Sequence, residues 1–189
     1  MKSTIITLAV IFVGLSTLGS SCINDPFLIS INVDPLTGCY TITPGSNLTF
    51  GGADTIDLAT LVDDSYTDKI KNARFYDIRV QVTGTYNGSV FGVGFINDIP
   101  LLNYGSGTNA TSPTPWSSFA TEQSLVGPSP FIKPQTAGIT ELIQVLQTRP
   151  LSSVRLSSNG TLSGQSPVPS GLQVCIKVYA QADAEIGGE

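Results

Sequence analysis

The 189-residue chain contains no histidine, and its three cysteines stand at positions 22, 39 and 175. Ser–His and Cys–His nucleophilic catalysis are therefore excluded, together with histidine-held zinc or iron. Three thiols cannot make a four-cysteine metal site. No G-x-S-x-G elbow, phosphate-binding glycine loop or dinucleotide fingerprint occurs. Paired carboxylates are still available, because glycoside hydrolysis needs only two Asp or Glu side chains. The patterning gives no reason to pair Glu122, Glu141 or Asp77 in a cleft. Glu141 lies on the polar side of a helix, and Asp77 alternates outward on a strand. The tight acidic cluster of Asp63, Asp64 and Asp68 lacks the spacing and the glycine of an EF-hand loop. It reads as the capping and solvation of a short helix. The expectation is a protein that is not an enzyme, with no catalytic residues, no metal and no cofactor.

The thiols then need another role. In "LQVCIKVYAQA", Leu172, Val174, Ile176 and Val178 share one face of a strand and Cys175 lies on the other. In "GCYTITP", Cys39 is out of phase with Tyr40 and Ile42. Buried free cysteines more often fall in phase with the core. A disulfide between Cys39 and Cys175 on neighbouring strands would explain both positions; two free, half-buried thiols are the alternative.

Residues 1–21, "MKSTIITLAVIFVGLSTLGSS", have the plan of a secretory signal peptide. Lys2 supplies the positive n-region, Ile5 to Leu15 the apolar h-region, and small residues follow up to Cys22. The apolar run is short for a membrane-spanning helix. Gly19, Ser20 and Ser21 suit an ordinary signal peptidase. Small residues directly before Cys22 also resemble the lipobox of bacterial lipoproteins, in which the cysteine becomes the first mature residue and carries a thioether-linked diacylglycerol. Gly19 holds the place where that motif usually has leucine, and Leu18 stands one further back. The resemblance covers the leader alone. It implies lipidation of Cys22 and anchorage in the cell envelope, at the outer membrane or cell surface. It also removes the odd thiol that an exported chain with three cysteines must explain. The ordinary cut implies a soluble secreted protein. Sequons at Asn47, Asn87, Asn109 and Asn159 are sites for glycosylation if the host performs it.

The elements behind these residues read as β-rich. Apolar residues make up 41% of the chain and charged residues 12%, with nineteen Gly and twelve Pro. That composition suits many short strands joined by turns. The organisation is a signal peptide over 1–21, the lipidated cysteine and a short tether over 22–27, and one β-rich domain over 28–189. "DPLTG" has the turn chemistry of a hairpin between two β-rich runs. "DTIDLATLVDDSYTDKIKNA" is a helical candidate with Asp64 as cap. In "RFYDIRVQVTGTY", Tyr76, Ile78, Val80 and Val82 alternate with Asp77, Arg79, Gln81 and Thr83, setting one buried face and one wet. "NG" at 87–88 suggests a tight turn into "SVFGVGFI", where Gly92 and Gly94 permit close approach or a bulge. "ITELIQVLQTRP" is the best helix, with Ile139, Leu142, Ile143 and Leu146 on one stripe. Two strands, "SSVRLSSNGTLSG" and "GLQVCIKVYAQADAEI", close the chain. The fold class is mainly β: an antiparallel β-sandwich with one or two short covering helices.

Residues 103–136 form a long loop with room for one short strand, and loops of this length are usually functional or mobile. Its aromatics, Trp116, Phe119 and Phe131, either plug the loop onto the core or form a recognition surface. The formal net charge is −5. With no basic stripe, neither nucleic acid nor a polybasic membrane contact is expected. The function that fits best is a membrane-anchored cell-envelope lipoprotein acting as a non-enzymatic binding or structural module. Its partners would be the membrane, through the lipid, and an envelope protein or glycan. A carrier of lipid or another apolar ligand is an alternative, as is a secreted fibre or adhesin subunit assembling through strand edges.

Overall fold

The computed structural model describes residues 26–105, 114–127 and 131–187. Among them, in chain order, the strands are β1 (Phe27–Asn32), β2 (Leu36–Thr41), β3 (Thr49–Asp57), β4 (Ile70–Thr83), β5 (Gly88–Ile96), β6 (Ile99–Tyr104), β7 (Thr114–Pro115), β8 (Gln123–Ser124), β9 (Ile132–Pro134), β10 (Ser153–Gly164) and β11 (Gln173–Ile186). Helix α1 (Thr136–Gln147) precedes β10, and single 3-10 turns form at Leu58–Leu61 and Trp116–Phe119. The strands pair antiparallel into two sheets. In the first, β11 is flanked on one side by β1 and β2 and on the other by β4, with β8 beyond. The second runs β3-β10-β5-β6-β9, with β7 also on β5. The chain is thus mainly β, two antiparallel sheets packed together and one α-helix.

Period-two alternation builds the core. On β11, Val174, Ile176, Val178, Ala180 and Ala182 are buried, and from the second sheet Val90, Ile96, Val154, Leu156 and Leu162 meet them. Gly92 and Gly94 face inward. A Cβ on Gly92 would lie 2.3 Å from the Tyr104 ring, and one on Gly94 2.6 Å from Leu102 and 2.9 Å from Ile176. The space beside these glycines, which an apolar-ligand carrier would need open, is therefore filled. The β5–β6 register shifts beside Gly94, as a bulge there would require. The shift leaves Leu101 out of the ladder and under α1, where a Cβ on Gly138 would lie 2.4 Å from the Leu101 Cα. Leu142 and Leu146 of α1 are fully buried.

Several local expectations are corrected. "DPLTG" makes no hairpin. β1 and β2 lie end to end along the same edge of β11, as Asn32 pairs with Gln181 and Leu36 with Val178. Residues 33–35 bulge between them, where Pro35 has no N–H to give a ladder. The helical candidate gives only the 3-10 turn, capped by Asp57 through the Ala59 N–H (3.0 Å) rather than by Asp64. Residues 84–87 carry the chain between sheets instead of pairing β4 with β5, and buried Tyr86 anchors the crossing by donating to the Gln165 carbonyl (3.0 Å). The long loop carries β7, β8 and β9 rather than one strand. On β4, Tyr76 is exposed where the simple alternation places it in the core, while Asp77 keeps the outward face and is buried there beneath Ser124 and Val126. Tyr179 pairs with Asp77 and Ala180 with Phe75, so Tyr76 is an extra residue bulged out of the ladder.

Candidate functional site

Two outward sheet faces carry the polar chemistry. On the first sheet, Cys39 and Cys175 are direct cross-strand partners and form the disulfide, with Cα atoms 4.1 Å apart. That separation belongs to the narrow pairs of an antiparallel ladder, where side chains approach most closely. Both thiols sit on the face away from the core, as their phase requires. Beside them, Lys177 pairs with Arg79 across the ladder. Like charges directly opposite are unfavourable by themselves. Glu122, from the segment after the Trp116–Phe119 turn, resolves the conflict. It accepts from Lys177 Nζ at 2.7 Å and from Arg79 Nη1 at 3.0 Å. Arg79 Nε donates to Asp77 Oδ2 at 2.8 Å, and its guanidinium lies 4.5 Å from the Tyr179 ring centroid.

Asp77 completes the clamp. Its carboxylate accepts from Ser124 Oγ at 2.8 Å and from the Val126 N–H at 3.3 Å. Burial pushes the Asp77 pKa up, but hydrogen bonds from Arg79, Ser124 and Val126, with the guanidinium charge, outweigh it and hold the carboxyl below its ordinary value. The hydrogen bond from Lys177 acts first on Glu122, and that from Arg79 adds to it against burial, so Glu122 also lies low. Both carboxylates are ionised and occupied by cations. The arrangement fastens a segment to a sheet and leaves neither group as a proton donor. Nothing in the sequence pattern points to this set, because Glu122 becomes meaningful only once Lys177 and Arg79 are known to be opposite.

The loop aromatics point inward. Trp116 and Phe119 are buried, and Phe131 is half-buried. Trp116 Nε1 donates to the Gly84 carbonyl at 3.3 Å and its ring meets Tyr86 edge-on at 5.3 Å. Phe119 packs against Tyr104 at 6.3 Å and Phe131 at 5.8 Å. The three rings thus pack the loop onto the sandwich rather than offer a free surface. The large apolar side chain that this segment does expose is Val126.

The second sheet's outer face is built differently. The residues of β3 that point outward, Thr49, Gly51, Ala53, Thr55 and Asp57, are all exposed. Ala53 pairs with Ser157 and Gly51 with Asn159, while Ser157 pairs on its other side with Phe95. Small side chains beside one ring leave a groove of about 490 Å³ over Ser157. Arg155 and Asp98 form an ion pair at one end. Asp98 belongs to the two-residue β5–β6 turn, where Asn97 and Asp98 both take positive φ (47° and 65°), as a type I′ hairpin demands. A second hollow of about 570 Å³ is lined by the β2–β3 loop, Thr43–Asn47, and by the start of β3, Thr49–Gly51.

Other sequence-derived candidates are placed as follows. Cys22, the signal peptide and Asn109 lie outside the described residues. Asn47, Asn87 and Asn159 are exposed. Asp63 accepts from the Ser65 N–H at 2.9 Å. Among the described residues no group of three or more Cys, Asp or Glu side chains is placed to hold a metal ion, and no helix is long and apolar enough to cross a membrane. No family model matches the chain, and no curated protein matches it. Among solved structures, the chain is similar to one from Desmodium yellow mottle tymovirus (12% identity, covering 86% of this chain and 90% of that one, TM-score 0.30). It is similar at the same level to one from turnip yellow mosaic virus (13% identity, 86% and 96% covered, TM-score 0.31). Likeness this distant carries no statement about what the chain does.

Proposed function

We propose that the chain is an exported module held at a membrane of the cell envelope by a diacylglycerol on Cys22, and that it acts there by binding rather than catalysis. The feature that carries this reading is the short stretch of sequence between Cys22 and the first strand. β1 begins at Phe27, so five peptide steps separate the lipid from the sandwich, at most about 18 Å. Phe27 and Leu28 at this end are exposed (56% and 54%), and Phe27 pairs with Ile186 near the C-terminus. Apolar side chains beside a short tether suit the boundary of a bilayer. The saturation of Asp77 and Glu122 by cations and hydrogen bonds supports the non-catalytic part. An envelope protein or glycan is the partner class that this placement favours.

The test is the intact mass of the mature protein, with peptide mapping of its N-terminus. A first residue of Cys22 carrying diacylglycerol is expected. An unmodified N-terminus near Ser21, or sugars on Asn47, Asn87, Asn109 or Asn159, would sink the anchor and make the protein a soluble secreted one.

A further inference from the structure

The groove over Ser157 holds a polar group that the fold leaves unused. Four polar side chains are buried among the described residues: Asp77, Thr114, Ser157 and Ser158. Three of them are satisfied within the protein. Asp77 accepts from Arg79, Ser124 and Val126. The Thr114 hydroxyl donates to the Gly105 carbonyl. Ser158 bonds the Tyr104 hydroxyl at 2.7 Å and donates to the Val93 carbonyl at 3.2 Å. Ser157, only 5% exposed, has no hydrogen-bond partner among the described residues, and it lines the groove. The Ser157 hydroxyl opens onto the groove, where water or a ligand reaches it; the side-chain atoms that are both enclosed and unpaired among the described residues are Tyr40 Oη and Arg149 Nε, and neither residue lines the groove. Asn159 presents an unpartnered amide at the same groove, and Arg155 uses one Nη on Asp98, leaving its other N–H groups free.

We propose that this groove is a binding site for a neutral saccharide. The inference rests on the reading of the protein as a binding module and not on its anchor. The chemistry of the lining selects the class. The Phe95 ring forms one wall, and an aromatic ring packs well against the C–H face of a pyranose. Around it stand a hydroxyl, an amide, a guanidinium and a carboxylate, which together donate to and accept from sugar hydroxyls. Arg155 is the sole cation in the lining and Asp98 neutralises it, so the site has no excess charge for a phosphate or carboxylate ligand. Phe95 and Ala53 are too little apolar surface for a lipid chain. The volume falls within the range of small-molecule sites.

The proposal is tested by titrating the ¹⁵N-labelled mature protein with maltose, cellobiose, lactose and chitobiose at millimolar concentration, following amide shifts. Saturable shifts at Gly51, Ala53, Phe95, Ser157 and Asn159 are expected for at least one sugar. Phe95→Ala should weaken that binding by about tenfold or more. Ser157→Ala should weaken it too while leaving the melting temperature unchanged, which separates a lost contact from a lost fold. Three results would overturn the proposal: no saturable shift with any sugar, unchanged affinity in a folded Phe95→Ala protein, or a response to an extended peptide along β3 with none to saccharides. Sugar binding by a protein with an unlipidated N-terminus would remove the anchor alone. A lipidated protein that binds no sugar would remove the groove alone.

Discussion

On the first sheet, Asp77, Arg79 and Lys177 interlock with Glu122 and Ser124 of the segment laid over them. On the second, Ser157, Asn159 and Arg155 surround a groove that nothing in the described chain fills. Both faces are the outward sides of antiparallel sheets, and both alternate polar residues against an apolar interior. They differ in what lies over them. A covering segment brings Glu122 to Lys177 and Arg79 and closes over Asp77, which makes that part of the face scaffold. The second face keeps its hydrogen-bonding capacity, and with it the means to recognise something else. The contrast assigns stability to one face and recognition to the other, and substitutions on each can break it.

The largest effect belongs to the disulfide. Cys39 and Cys175 are 136 residues apart in sequence, and on the loop-entropy model closing so long a loop stabilises the fold by about 5 kcal/mol. The Cys39→Ala/Cys175→Ala double variant should lose most of that in urea denaturation. It should leave saccharide binding by whatever protein remains folded unchanged. A stability within about 1 kcal/mol of the parent would show that the covalent clamp is not what holds the first face.

This part of the molecule was also the most legible in the sequence, and the reason is periodicity. Val174, Ile176 and Val178 fix the phase of β11, and phase alone places Cys175 on the far side from the core. Tyr40 and Ile42 do the same for Cys39. What phase cannot supply is an irregularity of register. The bulge at Tyr76 takes that ring off the core face, and the offset at 33–35 turns an apparent hairpin into two strands on one edge. Each depends on which residue of a distant strand sits opposite, and local pattern does not encode that. The groove was hidden for the same reason. Gly51, Ala53, Phe95 and Ser157 come from three separate strands, and each is unremarkable in its own segment.

The clamp supplies the next effect. Asp77→Ala removes the acceptor for Arg79, Ser124 and Val126 and leaves Arg79 partly unpaired. Because Arg79 keeps 38% of its side-chain surface in water, the cost falls below that of breaking a fully buried pair, at about 2–3 kcal/mol. The released segment should become sensitive to limited proteolysis between Glu122 and Val126. Asp77 and Glu122 both have pKa values lowered by folding, so their contribution is fully present above the unfolded carboxylate range, about pH 4. It is lost as pH falls through the lower folded values. The gap in urea midpoint between the parent and Asp77→Ala, measured at pH 7 and again near pH 2–3, should narrow in acid. A gap that stays constant would mean that Asp77 acts by shape and not by charge.

The finest test compares two adjacent serines. Ser157 and Ser158 are neighbours on β10, both are buried, and their hydroxyls point to opposite faces of the sheet. Ser158→Ala would strip the Tyr104 hydroxyl, wholly buried, of its side-chain partner. The cost should be about 1–3 kcal/mol, the penalty of an unsatisfied buried donor. Ser157→Ala removes a hydroxyl with no partner to lose, so the protein should keep its stability within about 0.5 kcal/mol or gain slightly. Equal losses would place a hidden partner on Ser157 and take away the reason to read the groove as a site. Unequal losses, with Ser157→Ala silent in denaturation but impaired in saccharide titration, would mean that one strand bonds inward to hold the fold and outward to hold a ligand.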